Sequence, residues 1–194
     1  VNRCLYVLPV GSVEAAILEW IAACAREAFE SVVRVLPQVP EPPGLYDARR
    51  GQYSSVVMLQ AVAVAAPEDA VKVLGVTERD LFIPMLSFVL GQAQLNGRLA
   101  VISLARLRQE FYGLPPDPAV LRARARAETL HELGHAFGLI HCPDTSCVMS
   151  LSTAIAQVDG KLQGYCSSCR RLIGDRLAVS RNYDHENSLE NPRR

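Results

Sequence analysis

The sequence has no net charge, no long apolar run, no internal repeat and almost no lysine. Twenty basic and twenty acidic residues balance over 194 positions, so no overall field favours a polyanion and nucleic acid is not an expected partner. No apolar run approaches the roughly 20 residues of a membrane-spanning helix, which removes the membrane as a partner. The apolar opening, residues 1–9, lacks a small-residue cleavage site and reads as a first strand rather than a leader. The expected location is therefore the cytoplasm. Lys72 and Lys161 are the only lysines, a bias without a functional reading. A hydrophobic share of 49% is enough to fill one core, and a single compact domain acting as a monomer is expected.

What is present begins with alternating strand and helix signals. Residues 3–10 are almost continuously apolar, as in a strand buried on both faces of a mostly parallel sheet. Ser12 is placed to cap a helix to about Glu30, with Ala16, Ile17, Trp20, Ile21 and Cys24 at helical spacing. Residues 32–36 read as a second strand, the four prolines within 37–44 as loop, 54–65 as a second helix and 71–76 as a third strand. Asn96-Gly97 lies between strand-like stretches 88–94 and 98–104, a hairpin signal because both residues tolerate positive φ. Residues 88–94 are expected as one antiparallel strand at the sheet edge. Asp117 and Pro118 then suit the N-cap and first turn of a long helix that reaches Phe137 and ends at Gly138. Its arginines 122, 124 and 126 read as a solvated face, with Arg124 paired to Glu128 one turn on. A short helix is expected from Ser167 to about Val179, followed by a loose polar tail.

The long helix ends in His131-Glu132-Leu133-Gly134-His135-Ala136-Phe137-Gly138-Leu139-Ile140-His141. Residues four apart share a helix face, so His131 and His135 can present both imidazoles to one ion. A glycine at 138 lets the chain turn back and return His141 as a third ligand. Three protein ligands leave one position open, the mark of catalytic rather than structural zinc. Glu132 stands beside the first ligand, where it can act as general base on a water and then pass the proton to the departing amine. Leu130, Leu133 and Phe137 face away from the ligands and should anchor the helix in the core. Three of the four histidines fall within these eleven positions; His185 reads as an ordinary exposed side chain.

The six cysteines form two groups. Cys4 and Cys24 sit in apolar segments and read as buried thiols. Cys142, Cys147, Cys166 and Cys169 cluster after the histidines, and four thiolates would close a tetrahedral structural zinc site. Disulfides in an oxidising compartment, or a redox pair at Cys166 and Cys169, are the other readings of the same spacing.

From His131 to Cys169 the sequence resembles the archaemetzincins, metzincin peptidases whose zinc-binding helix runs directly into a four-cysteine site. The resemblance rests on H-E-L-G-H-A-F-G-L-I-H-C, Cys147, Met149 and the C-x-x-C at 166–169, and it extends through residues 73–107. It implies an α/β (α+β) metzincin fold, with a twisted, mostly parallel sheet, one antiparallel edge strand and helices in an upper subdomain (1–138). A small zinc-stapled lower subdomain (139–180) and a polar tail (181–194) would follow. It also implies that Met149 packs beneath the catalytic zinc, and that Phe88, Val89, Leu90, Gly91, Gln92 and Ala93 border the substrate. Leu151 stands where some metzincins carry a tyrosine, and no segment resembles an inhibitory pro-region. The function expected is hydrolysis of peptides or proteins with two zinc ions per chain, one catalytic and one structural. The competing function is a non-catalytic, zinc-stabilised peptide-binding protein, against which the retained Glu132 speaks.

Overall fold

The computed structural model describes the backbone of residues 4–190 and the side chains up to residue 178. Its first strand, β1 (Cys4–Pro9), is buried at every position, as its unbroken apolar run requires. Helix α1 (Ala15–Phe29) follows, then β2 (Val33–Val35), the two-stranded turn β3 (Tyr46–Asp47) and β4 (Gln52–Ser54), and helix α2 (Ser55–Ala65). Ser54 caps α2, its hydroxyl accepting from the Val57 amide at 3.4 Å. Strands β5 (Ala70–Thr77), β6 (Leu81–Phe82), β7 (Gly91–Ala93) and β8 (Leu99–Ser103) complete the sheets. Helix α3 (Pro118–Ala136), the one-turn α4 (Ile155–Asp159) and α5 (Ser167–Glu190) close the chain. No helix among the described residues is long and apolar enough to cross a membrane.

The main sheet has the order β2-β1-β5-β8-β7. Three of its pairings are parallel, and only β7 runs antiparallel, against β8, at the edge. This is the expected architecture. A second sheet, β3-β4-β6, has strands of two or three residues, too short to carry a periodic signal. Apolar side chains fill both faces of the main sheet. One core holds α1 and α3, with Ile21, Phe29, Leu74, Ile102, Leu130 and Leu133; the other holds α2, with Tyr6, Met58, Val62, Leu81 and Val101. Cys4 and Cys24 are buried free thiols, as expected.

Several local expectations need correction. Arg3 lies outside the described residues. Ser12 does not cap α1, whose N-cap is Glu14 without a side-chain bond. The backbone at Val10 and Gly11 is still bonded to Val76 and Val39, so the chain cannot turn into a helix as early as Ser12. The edge strand is Gly91–Ala93 rather than 88–94. Val89 donates instead to the Leu81 carbonyl at 2.8 Å, which draws residues 88 and 89 toward β6, while the Leu90 carbonyl still accepts from Ser103 next to β7. At the hairpin tip Asn96 alone takes positive φ. Helix α5 continues past Val179 to Glu190, since no proline interrupts the chain before Pro192. The His185 side chain lies outside the described set.

The arginines of α3 are not a solvated face either. Arg122 is exposed and stacks over Trp20, whereas Arg126 forks onto Glu27 of α1. Arg124 is buried, and its guanidinium reaches both oxygens of Asp159 at 2.7 and 2.8 Å and the Leu107 carbonyl at 3.0 Å. It does not pair with Glu128. A two-pronged bond to Asp159 and a buried carbonyl satisfy its donors better than a single neighbour on its own helix. Arg124→Ala should lower stability by about 1.5–3 kcal/mol, the range for hydrogen bonds to a charged group. Denaturant unfolding checks this, and an unchanged midpoint would mean that the clasp between α3 and α4 contributes nothing.

Candidate metal centres and substrate cleft

Helix α3 begins where Asp117 accepts from the amides of Ala119 and Val120, with Pro118 in its first turn. It ends in a Schellman arrangement: Gly138 donates to the His135 carbonyl and Leu139 to that of Gly134. Gly138 has φ of +92°, a conformation that side chains resist. The hairpin tip seals the same end, Asn96 donating to the His135 carbonyl at 2.9 Å. Leu130, Leu133 and Phe137 are buried as expected, and the Phe137 ring stacks on Phe29 with centroids 5.0 Å apart.

The turn after Gly138 sets the histidines. His135 Nδ1 lies 2.7 Å from the Leu139 carbonyl and His131 Nδ1 lies 2.6 Å from that of Val148. A carbonyl can only accept, so each Nδ1 carries the proton and each Nε2 presents a lone pair. The two Nε2 atoms face one another at 3.0 Å, and the His141 ring completes the group, with centroids 5.4 and 4.9 Å from the other two. Burial pushes the His131 imidazole down to about 3, and His135 and His141 are also lowered, so the rings are neutral at pH 7. Facing lone pairs repel unless a cation lies between them. Tetrahedral zinc, with Zn–N near 2.0–2.1 Å, holds its ligand atoms roughly 3.3 Å apart. The donor set therefore fits zinc.

The four thiols form a second group, with ligand atoms within 4.8 Å of one another. Cys142 and Cys166 have sulfurs 3.8 Å apart, the spacing that Zn–S bonds of about 2.3 Å give in a tetrahedron. Cys142 also donates its amide to the Met149 carbonyl at 2.9 Å, and Cys166 donates its amide to the Cys147 sulfur at 3.4 Å. The backbone amide at Cys169 holds the Cys166 thiol below its usual pKa, while burial raises Cys147 and Cys169. All six cysteines are free, against the disulfide reading. His141 and Cys142 are sequence neighbours that serve different groups.

A cleft of about 320 Å³ opens beside the histidines. Phe88, Val89, Leu90 and Gly91 line one side, and Leu151, Ser152 and Thr153 another, while Glu128, His131, Glu132, His141 and Lys161 also border it. Gln92 and Ala93, expected here too, belong to β7 but do not line this cleft. Glu132 is 5% exposed, and burial, then Glu128, raise its carboxyl well above the usual range. It lies so close to the edge strand that a Cβ on Gly91 would come 2.5 Å from its Cγ. Met149 is fully buried with its sulfur against α3 at Gly134. Glu128 and Lys161 were not singled out for this site from the sequence. The only signal there is the position of Glu128, four residues before Glu132 on one helix face; Lys161 has none.

Fold and donor sets together define the class: this is a zinc metallopeptidase. The sequence profile of peptidase family M54 matches residues 44–175, and the chain belongs to that family. It is 45% identical to an archaemetzincin of Methanocaldococcus jannaschii over 170 residues, 88% of this chain and 92% of that one. Its fold is similar to the crystal structure of archaemetzincin from Methanopyrus kandleri, with a TM-score of 0.80 and 35% identity, over 91% of this chain and 97% of the other. It is also similar to a zinc-dependent peptidase from Methanocorpusculum labreanum, with a TM-score of 0.78 and 26% identity, over 87% and 99% of the two chains.

The close approach at Gly91 yields a test of how Glu132 is positioned. Gly91→Ala should keep the fold and metal content but lower peptide hydrolysis by up to roughly 10²-fold, the cost of misplacing a reacting group by about 1 Å. Steady-state rates with metal analysis measure this; an unchanged rate would mean that Glu132 does not depend on contact with the strand.

Proposed function

We propose that His131, His135 and His141 hold a catalytic zinc ion and that Glu132 is the general base for hydrolysis of a peptide bond. The observation that supports this most directly is the pair of bare Nε2 atoms 3.0 Å apart, each fixed by a carbonyl behind its ring. Zinc bound there supplies Lewis acidity, polarising a carbonyl and lowering the pKa of a water from about 15.7 toward 7. Glu132 takes the proton of the attacking water and delivers it to the departing amine. Its burial supports a high proton affinity, suited to both transfers.

Substrate lies extended along β7. Leu90 and Gln94 bond toward β8, and backbone groups alternate sides along an antiparallel strand. Gly91 and Ala93 therefore offer their amides and carbonyls outward for a peptide backbone to pair with. Phe88 and Leu90 contribute cleft wall rather than ladder bonds, and the Val89 amide is already bound to Leu81.

Cys142, Cys147, Cys166 and Cys169 hold a second, structural zinc, which ties the turn after Gly138 to the start of α5. Residues 1–138 form the part above the cleft and 139–180 the small part below it, from which α5 runs on to Glu190. Met149 and Gly138 support the histidines. We place the protein in the cytoplasm as a monomer, where six free thiols remain reduced.

Glu132→Ala should retain zinc and lose about 10²–10⁴-fold in peptide turnover, the usual contribution of a general base. A variant with full zinc and the wild-type rate would refute the role of Glu132. Brief chelation should abolish activity reversibly and leave one zinc per chain by elemental analysis, because opening the thiolate site costs folding free energy. Cys166→Ser should lower thermal stability and activity together; a single tight metal in fully loaded protein would eliminate the second site.

A further inference from the structure

Two ionic side chains at the cleft remain outside the hydrolytic machinery. Glu128 is 3% exposed, and Lys161 is the one charge that acts to stabilise its carboxylate. Among the described residues no hydrogen-bond donor serves it, and it is in no ion pair. Lys161 is 6% exposed. Its ammonium donates to the carbonyls of Ser150 at 2.7 Å and Val148 at 3.0 Å, which leaves one of its three N–H groups uncommitted. Ser152, on the same cleft, has a buried hydroxyl oxygen with no partner. Leu86, Phe88 and Leu151 supply apolar wall.

From this arrangement we infer that Glu128 and Lys161 determine specificity, selecting a glutamine side chain next to the scissile bond; the inference rests on the peptidase reading above. A glutamine has an apolar stem for the wall and a tip that donates from its NH₂ to Glu128 and accepts at its carbonyl from Lys161. A lysine or arginine would meet Glu128 but bring a second cation beside Lys161. A glutamate would meet Lys161 but sit against Glu128. An aliphatic side chain would leave Glu128 without a donor and the third N–H of Lys161 without an acceptor, the situation that gives hydrogen-bonding sites their strongest discrimination. The two opposite charges thus reject either charge in the substrate, which is specificity by repulsion as much as by attraction.

The test digests a peptide library with the zinc-loaded full chain, reads cleavage sites by mass spectrometry, and then measures peptides differing only in Gln, Leu, Glu or Lys at the enriched position. Glutamine should exceed glutamate and lysine about 10- to 100-fold in kcat/KM, the size of one charge-assisted hydrogen bond. Glu128→Gln should raise the glutamate-to-lysine rate ratio by a similar factor, and Lys161→Met should lower it. Equilibrium binding of the same peptides to zinc-loaded Glu132→Ala protein, followed by fluorescence anisotropy, should give the same order without turnover. If Lys161→Met does not fold, Glu128→Gln decides alone. Peptide cleavage that ignores the residue at this position, or a ratio unmoved in folded Glu128→Gln, overturns this inference and leaves the peptidase reading standing. Neither cleavage nor binding of any peptide would overturn both.

Discussion

The carbonyl of Val148 accepts from His131 Nδ1 at 2.6 Å and from the Lys161 ammonium at 3.0 Å. Through it the helix that carries two histidines, the turn that carries Met149 and the segment before the second cysteine pair are joined at one atom. The imidazole orientation depends on this bond, because an unheld ring on a helix surface samples other rotamers. Leu139 does the same for His135. The segment after Gly138 therefore brings two carbonyls behind two rings, the kind of outer support that would orient histidines toward a metal.

The sheet contributes from the opposite side. β8 is buried at all five positions and fixes β7 through the register Gly91 to Ile102. That register sets Gly91 against Glu132 and the hairpin tip against the end of α3. A second link crosses beneath, where the Tyr165 hydroxyl donates to the Leu130 carbonyl at 2.7 Å. Helix α3 is held along its length by α1, β8 and the segment after Gly138, and His131, Glu132 and His135 project from its best-anchored turns.

Much of this was legible in the sequence because its signals are local. Histidines four apart on a helix, a glycine that ends it and the Asp117-Pro118 start each report on a few neighbouring residues. The main strands were found for the same reason, since a strand buried on both faces is apolar throughout. What escaped depended on distant partners. Arg124 reads as a surface residue until Asp159, 35 positions on, is brought beside it. The strand at 88–94 looks uniform, yet Val89 is taken by Leu81. Lys161 gave no local signal at all, because its importance comes from the carbonyls that surround it. The short sheet β3-β4-β6 lies below the length at which alternation can be counted.

The segment between Gly138 and Met149 is bound at both ends: at its start by the Leu139 amide on Gly134, and at its close by the Cys142 amide on the Met149 carbonyl. Its length is consequently more constrained than its composition. One residue added between Gly138 and His141 would displace both the imidazole and the adjacent sulfur from the two groups they complete. The histidine and cysteine groups are thus coupled by spacing alone, and this stretch of the gene should accept substitutions, as at the exposed Ile140, far more readily than insertions or deletions.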